Sequence, residues 1–118
     1  MEIAVQNRHE VAVAKVLLKE LDAGNAGEFK AAMAPILEAN SKLVIDLGEL
    51  QFVDSSGLGA LLSCLRQMTA KNGDLKLCRM TKQVRATFEL VRMHRIFEIF
   101  DTEDQAVAAF QKAIAPAQ

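Results

Sequence analysis

Tryptophan and tyrosine are absent from this chain, and cysteine, proline and histidine occur only twice each. Phenylalanine is thus the only aromatic that could stack on nucleic-acid bases. Lys plus Arg number 14 against 15 Asp plus Glu, a formal charge of −1. No surplus of cations is left to release counterions from a phosphate backbone, so direct nucleic-acid binding is not expected. Cys64 and Cys78 are too few and too far apart for a thiolate metal site and form no C-x-x-C pair. They read as reduced, buried thiols of a cytoplasmic protein. Two histidines and scattered carboxylates lack ligand spacing, so neither a metal nor a cofactor is expected. No apolar run approaches the roughly 18 residues that cross a bilayer. The start Met1-Glu2-Ile3-Ala4-Val5 carries an early acid where a secretory signal has basic residues. The expectation is a cytoplasmic protein that does not enter a membrane.

What is present is 118 residues, 51% hydrophobic and 25% charged, enough for one globular core and too little for two full domains. Ile3–Val5 and Val11–Leu17 read as strands joined by the polar turn Gln6–Glu10, an N-terminal antiparallel hairpin. From Asn25 to about Asn40 a helix is expected, with Ala26, Phe29, Met33, Ile36 and Leu37 on one face and a kink or early end at Pro35. Leu43–Leu47 is a short branched run of the kind buried on both faces of a parallel sheet. A second helix carries Leu58, Leu61, Leu62, Leu65 and Met68 on a core-facing stripe and stops near Asn72-Gly73, with Gly73 as the left-handed residue. Leu75–Met80 is a strand, and Thr81 caps a helix with inner face Val84, Phe88 and Val91. Ile96–Phe100 is the last strand. Thr102-Glu103-Asp104-Gln105 fits a capping box ahead of a helix bearing Val107, Phe110 and Ile114, and Ala115–Gln118 reads as a frayed tail. The alternation implies one α/β domain over residues 1–118, with a mixed, mostly parallel sheet and four helices.

Sites in open α/β sheets lie in the loops after strand carboxyl ends. Two such loops stand out, Glu20-Leu21-Asp22-Ala23-Gly24-Asn25 and Asp54-Ser55-Ser56-Gly57. The second sets two hydroxyls at a helix start, followed by glycines that let another backbone approach. Backbone N–H groups there favour a negative group, whereas Asp54 repels one. Plain capping accounts for most serines in such a position. Gly57-Leu58-Gly59 lacks the third glycine of a dinucleotide loop, and no Gly-Lys-Ser/Thr follows. A serine hydrolase needs glycine two residues before its nucleophile, where Val53 and Asp54 stand instead. His94 and His9 read as a packing or surface residue and a turn residue, not as bases. Asp22 and Asp54 could in principle act as paired carboxylates, although loop acids are usually solvated.

Leu47-Gly48-Glu49-Leu50-Gln51-Phe52-Val53-Asp54-Ser55-Ser56-Gly57-Leu58-Gly59 resembles the signature of the STAS family of anti-sigma factor antagonists. Leu21-Asp22-Ala23-Gly24-Asn25-Ala26 is similar to the family's loop after the second strand, and Met93–Phe100 to its final strand region. Lys19 stands where many relatives have glycine. The resemblance implies a binding module, not an enzyme, that switches partners. Unphosphorylated, it binds an anti-sigma factor and frees the sigma factor. The anti-sigma factor, itself a serine/threonine kinase, then phosphorylates it and ends the contact, and a serine phosphatase resets it. The phosphoacceptor maps onto Ser55, with Ser56 as its neighbour and a helix cap. Partner contacts map onto Asp22, Asn25, Asp54, Ser56, Gly57 and Leu58, with Asn25 also capping a helix. The alternative is an unphosphorylated STAS subunit of a lipid-trafficking, ATP-driven transport complex.

Overall fold

The structure is a computed structural model that describes residues 1–114, with side chains through Gln111. The side chain of Ile114, expected on the last apolar stripe, and the tail Ala115–Gln118 lie outside that description. The elements in chain order are β1 (Ile3–Arg8), β2 (Val11–Val16), β3 (Glu20–Leu21), α1 (Ala26–Ala39), β4 (Lys42–Asp46), β5 (Phe52–Val53), α2 (Ser55–Ala70), β6 (Asp74–Cys78), α3 (Lys82–Leu90), a 3-10 turn (Met93–Arg95), β7 (Glu98–Phe100) and α4 (Glu103–Ile114). The main sheet runs β1-β2-β4-β6-β7; β1 is antiparallel to β2 and the remaining neighbours are parallel. The expected hairpin, mixed sheet and four helices are therefore all present.

Alternation along the strands divides the core in two. Ala12, Ala14 and Val16 of β2, Leu43 and Ile45 of β4, and Leu75 and Leu77 of β6 meet Phe29, Met33 and Leu37 of α1 and Leu61, Cys64 and Met68 of α2. The opposite faces present Val11, Val13, Val44 and Cys78 to Ala106, Val107 and Phe110 of α4. Helices on both faces explain why β2 and β4 read as near-continuous apolar runs. Lys76 faces α4, where it is buried against Asp74, Glu98 and the Phe110 ring, 4.5 Å from its Nζ. Asp46, fully buried at the end of β4, accepts from Gly48 N at 2.8 Å and Arg79 Nη1 at 3.2 Å.

Several details differ from the sequence reading. Pro35 does not end α1, which continues to Ala39. Pro35 and Ala31 are both exposed, so the carbonyl that loses its N–H partner lies on the solvent side of the helix. In α2 the inward positions are Leu58, Leu61, Cys64 and Met68, while Leu62 and Leu65 are only half-buried; the left-handed residue past its end is Asn72 (φ 63°), not Gly73, since an amide side chain tolerates that region. Val91 is outside the core, because α3 stops at Leu90 and the chain reverses. The last strand begins at Glu98, after Phe97 has anchored edge-on against Phe88. The hairpin turn is only His9 and Glu10, both left-handed (φ 53° and 69°), as a two-residue turn that matches strand twist requires. Thr81 caps α3 through Val84 N, and Thr102 caps α4 through Gln105 N, as expected; the return bond of the capping box goes one residue further, Gln105 Oε1 accepting from Asp101 N at 3.1 Å.

Candidate functional site

The loop read as Glu20–Asn25 begins with a strand. Glu20 and Leu21 pair in parallel with Phe52 and Val53, forming a second, two-stranded sheet. Lys19 anchors its start, its carbonyl accepting from Gln51 N at 2.7 Å and Phe52 N at 3.1 Å. Lys19 is not among the left-handed residues, so lysine fits here without strain. This small sheet places the two candidate loops side by side at the carboxyl ends of β3 and β5.

Asp54 joins them. Its Oδ1 accepts from Gly57 N at 2.9 Å, capping α2, and its Oδ2 accepts from Ala23 N at 3.1 Å in the other loop. These N–H donors, Gly57 first, hold the Asp54 carboxyl below the usual aspartate range. The 22–25 loop is also braced from within. Asn25 Oδ1 accepts from Asp22 N at 2.9 Å, Asn25 Nδ2 donates to the Glu20 carbonyl at 2.9 Å, and Asp22 Oδ1 accepts from Gly24 N at 3.0 Å. Asn25 occupies the N-cap position of α1 but makes no side-chain cap; it fixes the loop instead. Asp22 and Asp54 thus each accept from an N–H of this loop, Gly24 and Ala23 respectively.

With Asp54 capping α2, Ser56 is not the cap expected of it. Ser55 and Ser56 are the first two residues of the helix, and both are exposed. Gly57 is buried for a steric reason: a Cβ there would lie 2.2 Å from the Leu21 carbonyl oxygen and 2.7 Å from Val53 Cγ2. The close approach expected of the glycines is thus made, at Gly57, by the protein's own β3. Leu58 packs into the core at 6% exposure. Gly57 and Leu58, expected as partner contacts, therefore offer no side chain to the surface. Gly59 was not singled out from the sequence as a contact. It is exposed, with nothing within 4 Å of where its Cβ would stand, and one helical turn places it beside Ser55 and Ser56.

The result is a shallow face built from Glu20, Asp22, Asn25, Asp54, Ser55, Ser56 and Gly59. It has an exposed hydroxyl pair at a helix start, a carboxylate already occupied by N–H donors, and a bare backbone at Gly59. Nothing there resembles a nucleophile with its base. His94 lies in the 3-10 turn beyond α3, and its buried Nδ1 has no hydrogen-bond partner among the described residues. Burial pushes the Cys64 and Cys78 thiols up to about 12, which leaves them poor nucleophiles.

The fold is a single α/β domain, and its candidate site is a set of surface groups at a helix start rather than a cleft. The chain belongs to the STAS domain family, whose model matches residues 3–106. It is 30% identical over 95 residues to BtrV of Bordetella bronchiseptica, covering 80% of this chain and 82% of that one. To the anti-sigma F factor antagonist of Paenibacillus polymyxa it is 26% identical over 114 residues, 94% and 97% of the two chains. Among solved structures, an anti-sigma factor antagonist from Mycobacterium paratuberculosis superposes with a TM-score of 0.80 at 24% identity, over 92% of each chain. SpoIIAA in its unphosphorylated form does so at 0.68 and 23% identity, over 93% and 98%; its phosphorylated form has also been solved. At such identities the structures establish the fold.

Proposed function

We propose that the chain, residues 1–118 acting as one STAS domain, is an anti-sigma factor antagonist switched by phosphorylation of Ser55. It is a binding module of the cytoplasm, not an enzyme. The unmodified protein binds an anti-sigma factor through the face around Asp22, Asn25, Asp54, Ser56 and Gly59, which releases the sigma factor. The anti-sigma factor acts as a serine/threonine kinase on Ser55, and a serine phosphatase reverses the modification. The observation that carries this reading is Ser55 itself, an exposed hydroxyl on the first turn of α2 next to a braced loop. The names of the relatives, and a SpoIIAA solved in both phosphorylation states, support it.

The physics of the switch follows from the neighbours of Ser55. A phosphoryl group adds about −1.5 to −2 charges on a face that already holds Glu20, Asp22 and Asp54. Asp54 occupies the Gly57 N–H, a donor that a phosphoryl group at a helix N-terminus would otherwise use. The added charge is left to a partner that must desolvate it beside like charges. Each 1.4 kcal/mol of that penalty weakens binding about tenfold. Nothing about the site favours the transport-subunit alternative.

Incubation with the cognate anti-sigma kinase and ATP is expected to add one phosphoryl group by intact mass, absent in Ser55→Ala and retained in Ser56→Ala. The phosphorylated protein then binds the anti-sigma factor at least tenfold more weakly than the unmodified one. Equal modification of Ser55→Ala would overturn the assignment.

A further inference from the structure

Three of the large apolar side chains most open to solvent fall within seven residues, where α3 ends and the chain reverses. Leu90 is 83% exposed, Val91 53% and Ile96 52%. The reversal is well fastened. Arg92 N donates to the Glu89 carbonyl at 3.1 Å, Ile96 N to the Met93 carbonyl at 3.0 Å, and buried Met93 and Phe97 pin the turn to the core. The three aliphatics are therefore held outward by a fixed turn.

The charges around them are mostly positive. Residues 82–96 carry Lys82, Arg85, Arg92 and Arg95 against a single acid, Glu89, which pairs with Arg85 at 3.3 Å. Arg92 and Arg95 are exposed and have no ion-pair partner among the described residues. The whole chain has a net charge of −1, so this end is a local basic pole on a slightly acidic protein. Arg92 supplies an independent observation. It holds φ 61° at the position just past the helix, where glycine is the usual residue because it adopts that conformation without strain. Of the five left-handed residues, Arg79 is explained by its bond to Asp46, His9 and Glu10 by the hairpin, and Asn72 by an amide side chain tolerant of this region. At Arg92 the left-handed conformation closes the C-terminus of α3, and a long, exposed cation stands there in place of the usual glycine.

We propose that Leu90, Val91 and Ile96, with Arg92 and Arg95, form a second docking surface for an acidic, apolar segment of a partner protein. It is separate from the Ser55 face. Thr81 Oγ1 at the start of α3 donates to the Leu50 carbonyl at 3.4 Å, and Leu90 lies roughly 13 Å further along the helix axis. A protein partner is favoured over an anionic membrane by charge. Each basic residue near such a surface is worth about fivefold in affinity, so two free arginines give roughly 30-fold, against the repulsion of an otherwise acidic chain. Stable membrane anchoring takes more than that.

The test uses the full-length, 15N-labelled protein. It is titrated with an amphipathic peptide of leucines at helical spacing flanked by glutamates, with its lysine-for-glutamate counterpart, and with phosphatidylglycerol vesicles. The acidic peptide is expected to bind saturably, with amide shifts concentrated at residues 89–97 and none at 52–59, while the basic peptide and vesicles do not bind. Arg92→Gly relieves the backbone strain, so it should raise the thermal midpoint while weakening peptide binding about tenfold or more, the loss of one charge-assisted contact. Leu90→Ser with Ile96→Ser should abolish binding with the fold intact. The proposal is overturned if the acidic peptide fails to bind, if its shifts map elsewhere, if the vesicles or the basic peptide bind equally well, or if Arg92→Gly retains full affinity.

Discussion

Replacing Gly57 and Gly59 by alanine, two positions apart on one helix, should move stability in opposite directions. Alanine is favoured over glycine within a helix by about 0.8–1 kcal/mol. At Gly59 nothing stands within 4 Å of the new methyl group, so Gly59→Ala should realise nearly all of that gain and raise Tm by about 3–5 °C for a domain of this size. At Gly57 the methyl would sit 2.2 Å from the Leu21 carbonyl oxygen, more than 1 Å inside ordinary contact, and the obstacle is backbone. Relief requires β3 to move off α2, and overpacking of this kind costs about 1–3 kcal/mol. It also strains the Asp54 bond to Gly57 N. Gly57→Ala should therefore lower Tm by several degrees despite its better helix propensity. Thermal and guanidinium denaturation followed by circular dichroism reads both. If Gly59→Ala destabilises, or Gly57→Ala leaves Tm unchanged, the steric account of this helix start is wrong. The same Gly59→Ala protein should bind its anti-sigma factor more weakly, since the methyl group fills the bare patch beside Ser55.

Asn25→Ala removes the two bonds that brace the site loop and should cost about 1–3 kcal/mol, with increased amide exchange at residues 22–25 as the local signature. The hydrogen bond to Asp46 raises the Glu103 carboxyl above the usual glutamate range. A raised carboxyl stabilises the fold where it is protonated, and that contribution fades as pH climbs through its folded pKa. Glu103→Gln keeps a donor toward Asp46, so the loss of stability between mildly acidic and neutral pH should flatten; an unchanged pH profile would refute the link. Cys64 and Cys78, buried and pushed up to about 12, should resist alkylation at pH 8 in the native protein and both react in denaturant. Rapid native labelling of either would contradict their burial.

What the sequence revealed depended on how local each signal is. Period-2 and period-3.6 patterning located every strand of the main sheet and all four helices, because each buries a periodic face. It could not reveal β3, since two residues have no period and Glu20-Leu21 pairs with a segment over thirty positions away. The hydroxyl pair was legible from its place before a helix. The cap was not, because Asp54 and Ser56 are both good capping residues and only the backbone geometry selects Asp54. Gly57 and Gly59 look alike in a string of letters, but one faces β3 and the other faces solvent. Burial of Leu58 follows from its place on the helical stripe, whereas exposure at Val91 reflects where α3 stops, a boundary that periodicity defines poorly. The bond between Asp46 and Arg79 spans 33 positions and leaves no local trace.

The small sheet that joins β3 to β5 also ties the proposed switch to the integrity of the protein. Ser55 is presented beside its loop only when residues 20–25 and 52–57 have come together from two parts of the chain. A nascent chain, a truncated product or a locally opened molecule would carry the same serine without Asp54 held against Ala23. A kinase that reads the assembled face would then pass over damaged or incomplete copies, and a phosphate on Ser55 would record that the chain had folded as well as that a signal had arrived.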